Sequence, residues 1–308
     1  MTTLVNAVAD MGVGAIAKLI SSGVDLNAKD WEGQSALHAA AEAGNYRVVE
    51  LLVNSGANIN VRDVFNKTPL HVAVSRDRGK TVEMLISLGA DLEAVDKNQE
   101  TPLYEAAYSR SFESAKILIE AGANVDHKNK DGVTPIYSAA SRGGCHVALA
   151  LMDAGADIHA VGGKGRTLLH EAAHYAKNLN LVNTLISKGL NIEAKDGSNW
   201  TALHYAVLRG GPEIVSALLA AGANPDCKST KWYGSPILVA CGDNTTKTLI
   251  GLAGGSSKPK SQYQNQFLKR LKENPSLARD IDLVKADPSQ ELLAKALIIT
   301  GGKIAKYT

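Results

Sequence analysis

The chain has 308 residues, of which 45% are hydrophobic and only 5% aromatic, and its formal net charge at pH 7 is +2. Three cysteines are too few for a disulfide-dense scaffold, and no apolar run approaches the roughly 20 residues that a membrane-spanning helix needs. The N-terminus lacks a charged region followed by an apolar run, which argues against a secretory leader. These features favour a reducing, cytoplasmic environment.

A short motif returns at a fixed interval along most of the chain. Each copy opens with Ser or Thr and continues with Pro, Ala or Leu, then an apolar residue, and usually His or Tyr; the copies begin at Ser35, Thr68, Thr101, Thr134, Thr167, Thr201 and Ser235. The steps between these positions are 33, 33, 33, 33, 34 and 34 residues. A period of this length indicates an architecture of stacked repeats.

The residues of one unit predict two short helices and a turn. Thr68 suits a helix N-cap, and Pro69 suits the first helical turn, where its missing N–H loses no hydrogen bond. In the preceding repeat, which opens at Ser35, a break at Gly44 and Asn45 separates the first apolar helix from a second one, which ends at Gly56. The polar residues that follow carry turn signals.

With its T-P-L-H opening and its 33-residue period, the chain resembles the ankyrin repeat family over residues 2–255. The resemblance implies an all-α solenoid of about eight helix-turn-helix repeats, in which the polar turn forms a short β-hairpin, the finger. It also implies that the motif histidine makes hydrogen bonds near the base of the finger. One unit cannot bury its apolar face alone, so each repeat is stabilised by its neighbours.

The two ends depart from the repeat, as the caps of a solenoid should. We expect an N-terminal cap at residues 1–30, a repeat array at 1–255, and a linker at 256–260. Residues 261–308 do not repeat, and helix starts at Asn274-Pro275 and Asp287-Pro288 with a stop at Gly301-Gly302 predict a helical C-terminal extension. This extension either caps the last repeat or has a role of its own.

Residues His170 to His174 match the H-E-x-x-H zinc protease motif. On a helix the two imidazoles would share a face and could hold zinc, with Glu171 as the base. His170, however, occupies the histidine position of the repeated motif, which predicts a structural hydrogen-bonding role. We therefore expect no catalytic residue, no cofactor and no metal.

The resemblance implies that a partner docks on the concave side, formed by finger tips and by exposed positions of the first helices. Large aromatic residues are scarce in this chain, yet its tryptophans map to fingers, and arginines recur on the inner helices. Trp, Tyr and Arg are enriched among interface hot spots, although each aromatic could also pack locally against a neighbouring finger. The predicted protein-binding residues are Trp31, Phe65, Arg76, Tyr108, Arg142, Tyr175, Trp200, Arg209, Trp232 and Tyr233.

The sequence therefore predicts a non-enzymatic protein-interaction module or scaffold, monomeric and cytoplasmic, with a partner that carries acidic groups. A small-molecule substrate is not expected. Without the basic C-terminal tail, the repeats contain 23 basic and 26 acidic residues. This charge balance disfavours nucleic-acid binding. The alternative is the targeting module of an effector that intracellular bacteria deliver into the host cytosol, with the C-terminal segment as effector or secretion element.

Overall fold

The computed structural model describes residues 4–175, 178–225, 227, 299–300 and 303–304. Its helices follow one another in pairs, one pair to a repeat. Their bounds are α1 Leu4–Asp10 and α2 Val13–Ser21, α3 Ala36–Ala43 and α4 Tyr46–Asn54, α5 Pro69–Ser75 and α6 Gly79–Ser87, α7 Pro102–Ser109 and α8 Phe112–Glu120, α9 Pro135–Ser141 and α10 Cys145–Asp153, α11 Leu168–His174 and α12 Leu179–Ser187, and α13 Ala202–Tyr205 and α14 Pro212–Ala220. A π-helical turn at Ala206–Gly210 continues α13.

The chain divides into two compact units between Ala160 and Val161. In the first unit the leading helices α1, α3, α5, α7 and α9 pack in series, and the second helices α2, α4, α6, α8 and α10 form a parallel series behind them. In the second unit α11 packs against α13, and α12 packs against α14. Each unit thus contains two layers of helices.

Small and aliphatic residues fill the space between the layers. In the second repeat Leu37, Ala40 and Ala41 are buried, and the third repeat buries Leu70 and Ala73 in the same register. Alanine at these positions lets neighbouring helices approach closely, which explains a high apolar content with few large rings. The predicted helix-pair repeat is confirmed.

The first helices begin as their sequence predicts. The hydroxyl of Thr101 accepts a hydrogen bond from the backbone N–H of Tyr104 at 3.2 Å, and Pro102 occupies the first turn of α7. This bond satisfies one of the N–H groups that lack a partner at a helix start.

Five-residue turns form the fingers that precede the first helices. In the first finger the N–H of Asp30 donates to the carbonyl of Gln34 at 2.9 Å, while Oδ1 of Asp30 accepts from the N–H groups of Glu32 and Gln34. The fourth position is left-handed, and at Gly33 an added Cβ would come within 2.9 Å of the Val64 nitrogen. Each finger is a minimal hairpin closed by two backbone bonds, the second from the N–H of the fourth residue to the carbonyl of the first, as from Gly33 to Asp30 at 3.0 Å.

The same backbone closure recurs in the other fingers, and the side-chain bonds recur wherever the first residue is Asp or Asn. Their first and fifth residues are Asp63 and Lys67, Asp96 and Glu100, Asn129 and Val133, Gly162 and Arg166, and Asp196 and Trp200. Within the first unit the tips are joined in a row, because Val64 N–H donates to Glu32, Lys97 N–H to Phe65, and Lys130 N–H to Asn98. These bonds, of 2.9–3.1 Å, hold the tips in register.

The eighth repeat, the linker and most of the predicted C-terminal extension lie outside the described residues. Of the extension, the structure describes Ile299–Thr300 (β1) and Lys303–Ile304 (β2), which pair antiparallel. These four residues are extended where we expected a helix to end. Ile299, Thr300 and Ile304 are β-branched, which favours an extended backbone.

No helix in the described part of the chain is both long enough and apolar enough to cross a bilayer.

Candidate functional site

The motif histidines join each first helix to the next finger. In the third repeat Nδ1 of His71 accepts from the N–H of Thr68 at 3.2 Å, so Nε2 carries the proton and donates to the carbonyl of Glu100 at 3.0 Å. Burial lowers the pKa of His71 and favours this neutral form. The predicted role of the motif histidine at the finger base is confirmed.

Other repeats use the same bond or a substitute for it. Nε2 of His38 reaches the carbonyl of Lys67 at 3.0 Å. Where tyrosine replaces histidine, the hydroxyl of Tyr104 accepts from the side-chain amide of Asn129 at 3.1 Å. The fingers are therefore positioned by the helices behind them, and a surface built on both is rigid.

His170 follows the same hydrogen-bonding pattern as the other motif histidines. Its Nδ1 accepts from the N–H of Thr167 at 3.0 Å, and its Nε2 donates to the carbonyl of Trp200 at 2.9 Å. Both ring nitrogens are thus used in hydrogen bonds, and the ring is buried. Among the described residues no group of three or more His, Cys, Asp or Glu side chains could hold a metal ion.

A groove of about 540 Å³ runs between the second and third fingers and helix α5. We name it the finger groove; its walls include Phe65, Lys67, Val72, Arg76, Lys97 and Asn98. It combines an exposed aromatic ring, aliphatic surface and several charged groups. Two of the predicted binding residues, Phe65 and Arg76, therefore lie on one surface.

Two of the basic side chains in the finger groove are already paired within the chain. Arg76 donates from Nη2 to Oε1 of Glu42 at 2.6 Å, and Lys67 donates from Nζ to Oε2 of Glu105 at 2.6 Å. Burial is the largest single effect and lowers the pKa of Lys67, but the charge and hydrogen bond of Glu105, together with the charges of Asp96 and Glu100, raise it more in sum, and the net direction is upward. Of the arginines predicted on the inner helices, Arg76 is therefore compensated locally.

Arg142 lies at the C-terminal end of α9, one repeat beyond Tyr108 on α7. Its guanidinium carbon is 3.8 Å from the ring centroid of Tyr108, and both side chains are exposed. Such a stack holds a cation in place without neutralising it. The structure thus brings these two predicted binding residues together.

Three apolar side chains stand exposed on the first two fingers. Trp31 is 87% exposed and Phe65 60% exposed, and Val64 lies beside Phe65 with much of its surface in solvent. A tryptophan this exposed contributes little to packing within the chain. Trp31 and Phe65 are therefore available at the surface, and their role in binding stays a prediction.

Trp200 differs from Trp31 because it closes its finger instead of forming the tip. Its ring stacks on His204 at a centroid distance of 5.5 Å and meets the edge of Tyr205 at 5.1 Å. The side chain is only partly exposed. Trp200 therefore packs within the second unit, as the alternative of local packing proposed.

The remaining predicted residues have separate settings. Tyr175 is half-buried beside the His174 ring, and Arg209 is exposed on the π-helical turn after α13. Trp232 and Tyr233 lie outside the described residues.

A polar cluster in the second unit was not foreseen from the sequence. Arg166 Nη1 lies 3.3 Å from Oε1 of Glu171, and its guanidinium carbon lies 4.7 Å from the ring centroid of Tyr205. The Tyr205 hydroxyl donates to Oδ2 of Asp196 at 2.7 Å, and burial with this bond raises the Tyr205 pKa. The sequence did contain one signal for this cluster, because Arg166 occupies the fifth position of its finger, as Lys67 does.

Solved structures with the same fold match most of the chain. The crystal structure of the human ASB11 ankyrin repeat domain covers 73% of this chain and 100% of its own, with a TM-score of 0.65 and 24% identity. The ankyrin repeat domain of Bcl-3, described as a unique member of the IkappaB family, covers 71% and 98%, with a TM-score of 0.60 and 27% identity. The first of these likenesses shows the fold alone.

Curated relatives match over shorter stretches. Human protein phosphatase 1 regulatory subunit 27 is 44% identical over 62 residues, which is 20% of this chain and 40% of the relative. Mouse BCL-6 corepressor-like protein 1 is 37% identical over 115 residues, 37% of this chain and 6% of the relative. Human mitochondrial disaggregase is 43% identical over 58 residues, 19% of this chain and 8% of the relative. The chain thus spans less than half of the length of each.

The family model for ankyrin repeats matches three times, at residues 4–96, 88–161 and 137–229. These matches cover most of the chain, and they coincide with the helix pairs and fingers described above. Proteins built from such repeats generally serve as protein-interaction modules. The chain belongs to the ankyrin repeat family.

Proposed function

We propose that this chain is a non-enzymatic interaction module that holds a partner protein on the finger side of its first unit. The finger groove carries the proposal, because it places exposed apolar side chains and charged groups on one preformed surface. Fingers anchored by His38 and His71 lose little conformational freedom when a partner docks.

The Arg142–Tyr108 stack extends this surface along the inner helices. A guanidinium held flat on a ring presents its N–H groups to a partner without first becoming ordered. No ion pair is recorded for Arg142 among the described residues. A carboxylate on the partner would complete it, which supports a partner with acidic groups.

Two of the curated relatives agree with this role. They are a phosphatase regulatory subunit and a corepressor-like protein, and both names describe proteins that modify what another protein does. The matched stretches consist of repeats, so a binding role is the part of those descriptions that we extend to this chain. The effector alternative rests on the resemblance alone and stays a prediction.

The test is capture of a partner from a cell extract by the immobilised full chain, followed by measurement of its affinity for purified variants. We expect Tyr108→Ser and Arg142→Ser each to weaken the Kd by about fivefold or more. Lys116→Ser, on α8 in the other helix layer, is the matched control and should bind like the parent chain. Unchanged Kd values for both variants of the Arg142–Tyr108 stack, with unchanged circular dichroism, would contradict the proposal.

A further inference from the structure

The second position of each finger forms a column along the first unit. The column reads Trp31, Val64, Lys97 and Lys130, each 33 residues after the one before. All four side chains are exposed, and the backbone bonds between tips fix their order in space. The column therefore changes from apolar to cationic between the second and third fingers.

The two lysines of the column differ from the paired cations of the finger groove. Arg76 and Lys67 are paired with carboxylates at 2.6 Å, whereas no ion pair is recorded for Lys97 or Lys130 within the described residues. Lys130 donates to the neutral side-chain oxygen of Asn98 at 2.6 Å, which orients its ammonium group without cancelling the charge.

Three carboxylates lie in the third and fourth fingers, and they do not reverse the sign of the tips. Glu100 stands at the base of its finger, where its Oε1 accepts from the side-chain amide of Asn129 at 3.3 Å. Asp96 is buried, and its Oδ1 accepts from the N–H groups of Asn98 and Glu100 inside the turn. Asp131 is exposed and follows Lys130. The exposed tips of the third and fourth fingers thus carry two positive charges and one negative charge.

We propose that the column binds a segment of the partner protein in which an apolar side chain is accompanied, on one side, by acidic side chains. The apolar group would lie against Trp31 and Val64 with Phe65 beside them, and the acids would face Lys97 and Lys130. This inference rests on the proposed function and specifies the chemistry of its partner.

The spacing of the fingers predicts the spacing of the acids. Each finger is attached to a first helix, and neighbouring helices pack about 8–10 Å apart. Residues of the column therefore recur at about that interval. A polyproline II segment presents every third residue on one side, about 9 Å apart. We therefore expect acidic residues about three and six positions from the apolar one.

A displayed library of random 12-residue peptides, selected on the full chain, tests the inference without presupposing the motif. We expect enriched peptides to contain an apolar residue with Asp or Glu at this spacing. Selection on the Lys97→Ser/Lys130→Ser chain should lose the acids but keep the apolar residue, and Lys116→Ser should select the parental motif. No enrichment, or the same acids selected by the double variant, would overturn the proposal.

Affinities of one enriched peptide, measured by fluorescence anisotropy, give a second readout. We expect Trp31→Ser to weaken binding about tenfold, each lysine substitution about two- to fivefold, and Asp131→Asn to strengthen it about twofold. Added salt should weaken the parent more than the double lysine variant. If Arg142→Ser abolished peptide binding while the Trp31 and lysine variants kept it, the proposed function would stand and the proposal that the column binds the peptide would be wrong.

Exposed tryptophan beside lysines could also meet a membrane surface, which a second arm of the experiment distinguishes. The probe is a vesicle of phosphatidylserine and phosphatidylcholine, tested by co-sedimentation. We expect no sedimentation above that of Trp31→Ser. Sedimentation that Trp31→Ser and Lys97→Ser/Lys130→Ser both abolish would overturn the proposal in favour of a lipid surface.

Discussion

Tyr108 supports the guanidinium of Arg142 at a distance of 3.8 Å, although the two residues belong to successive repeats. The stack spans a repeat boundary on the surface that we propose for binding. Because both groups are exposed, its contribution to folding is small, about 0.5–1 kcal/mol.

This relationship predicts different outcomes for two conservative substitutions. Tyr108→Phe keeps the ring and should leave partner affinity within about twofold of the parent. Arg142→Lys keeps the charge but loses the flat donor array, and should weaken the Kd about fivefold. Isothermal titration with the captured partner measures both Kd values. Equal losses of affinity for the two variants would show that the partner does not depend on the flat donor array of Arg142.

Substitution of Trp31 and of Trp200 should change the free energy of unfolding by very different amounts. Trp31→Ser should change the free energy of unfolding by less than about 0.5 kcal/mol, because its side chain is solvated. Trp200→Ala removes a ring packed on His204 and Tyr205 and should destabilise the chain by about 2–3 kcal/mol. Urea unfolding followed by far-UV circular dichroism measures both values. A stable Trp200→Ala variant would show that this ring is available for binding after all.

Acid should destabilise the repeats through their buried histidines. Burial lowers the pKa of His38, His71 and His170 in the folded chain, so the unfolded chain binds protons first as the pH falls below about 6.5. The stabilisation by the neutral rings is therefore complete above that pH and is lost below it, by at most about 1.4 kcal/mol per pH unit for each ring.

His71→Gln isolates one of these contributions. At pH 7.5 we expect it to lower the free energy of unfolding by about 2 kcal/mol, since Thr68 and Glu100 lose their shared partner. The difference between parent and variant should shrink as the pH is lowered from 7 to 5.5. Urea titrations across that range measure it, and a difference independent of pH would mean that His71 does not titrate with unfolding.

The two ion pairs of the finger groove should differ in strength. The Glu105 side chain is 7% exposed and that of Lys67 29%, whereas Arg76 and Glu42 are well solvated. Glu105→Ala leaves a half-buried ammonium group without its partner and should destabilise by about 2 kcal/mol. Glu42→Ala, the matched control, should change stability by less than about 1 kcal/mol. Equal effects in urea unfolding would contradict this difference.

The repeat period and the helix caps could be predicted because they depend on local chemistry. Thr101 and Pro102 start a helix through their own backbone preferences, and the 33-residue interval repeats that signal. The bonds of His38 and His71 to the next finger followed from the family resemblance. These features concern each repeat and its immediate neighbour.

The role of Trp200 could not be inferred in the same way. Its place in the finger is set by Asp196, whose carboxylate closes the turn as Asp30 does, so Trp200 corresponds to Gln34 and not to Trp31. Alignment on the aromatic residue alone missed this register. The ion pair of Lys67 with Glu105 joins residues 38 positions apart and depends on side-chain directions that the sequence does not specify.

The hydrogen bonds of His38, His71 and His170 all end on main-chain carbonyls of the following finger. Every amino acid supplies a main-chain carbonyl, so this hydrogen bond between repeats places no requirement on the side chain of the accepting residue. A whole 33-residue repeat can therefore be inserted, deleted or exchanged without removing the acceptor of the hydrogen bond that joins neighbouring repeats. The finger tips are then left to diversify, as the change from Trp31 to Lys130 along one column illustrates.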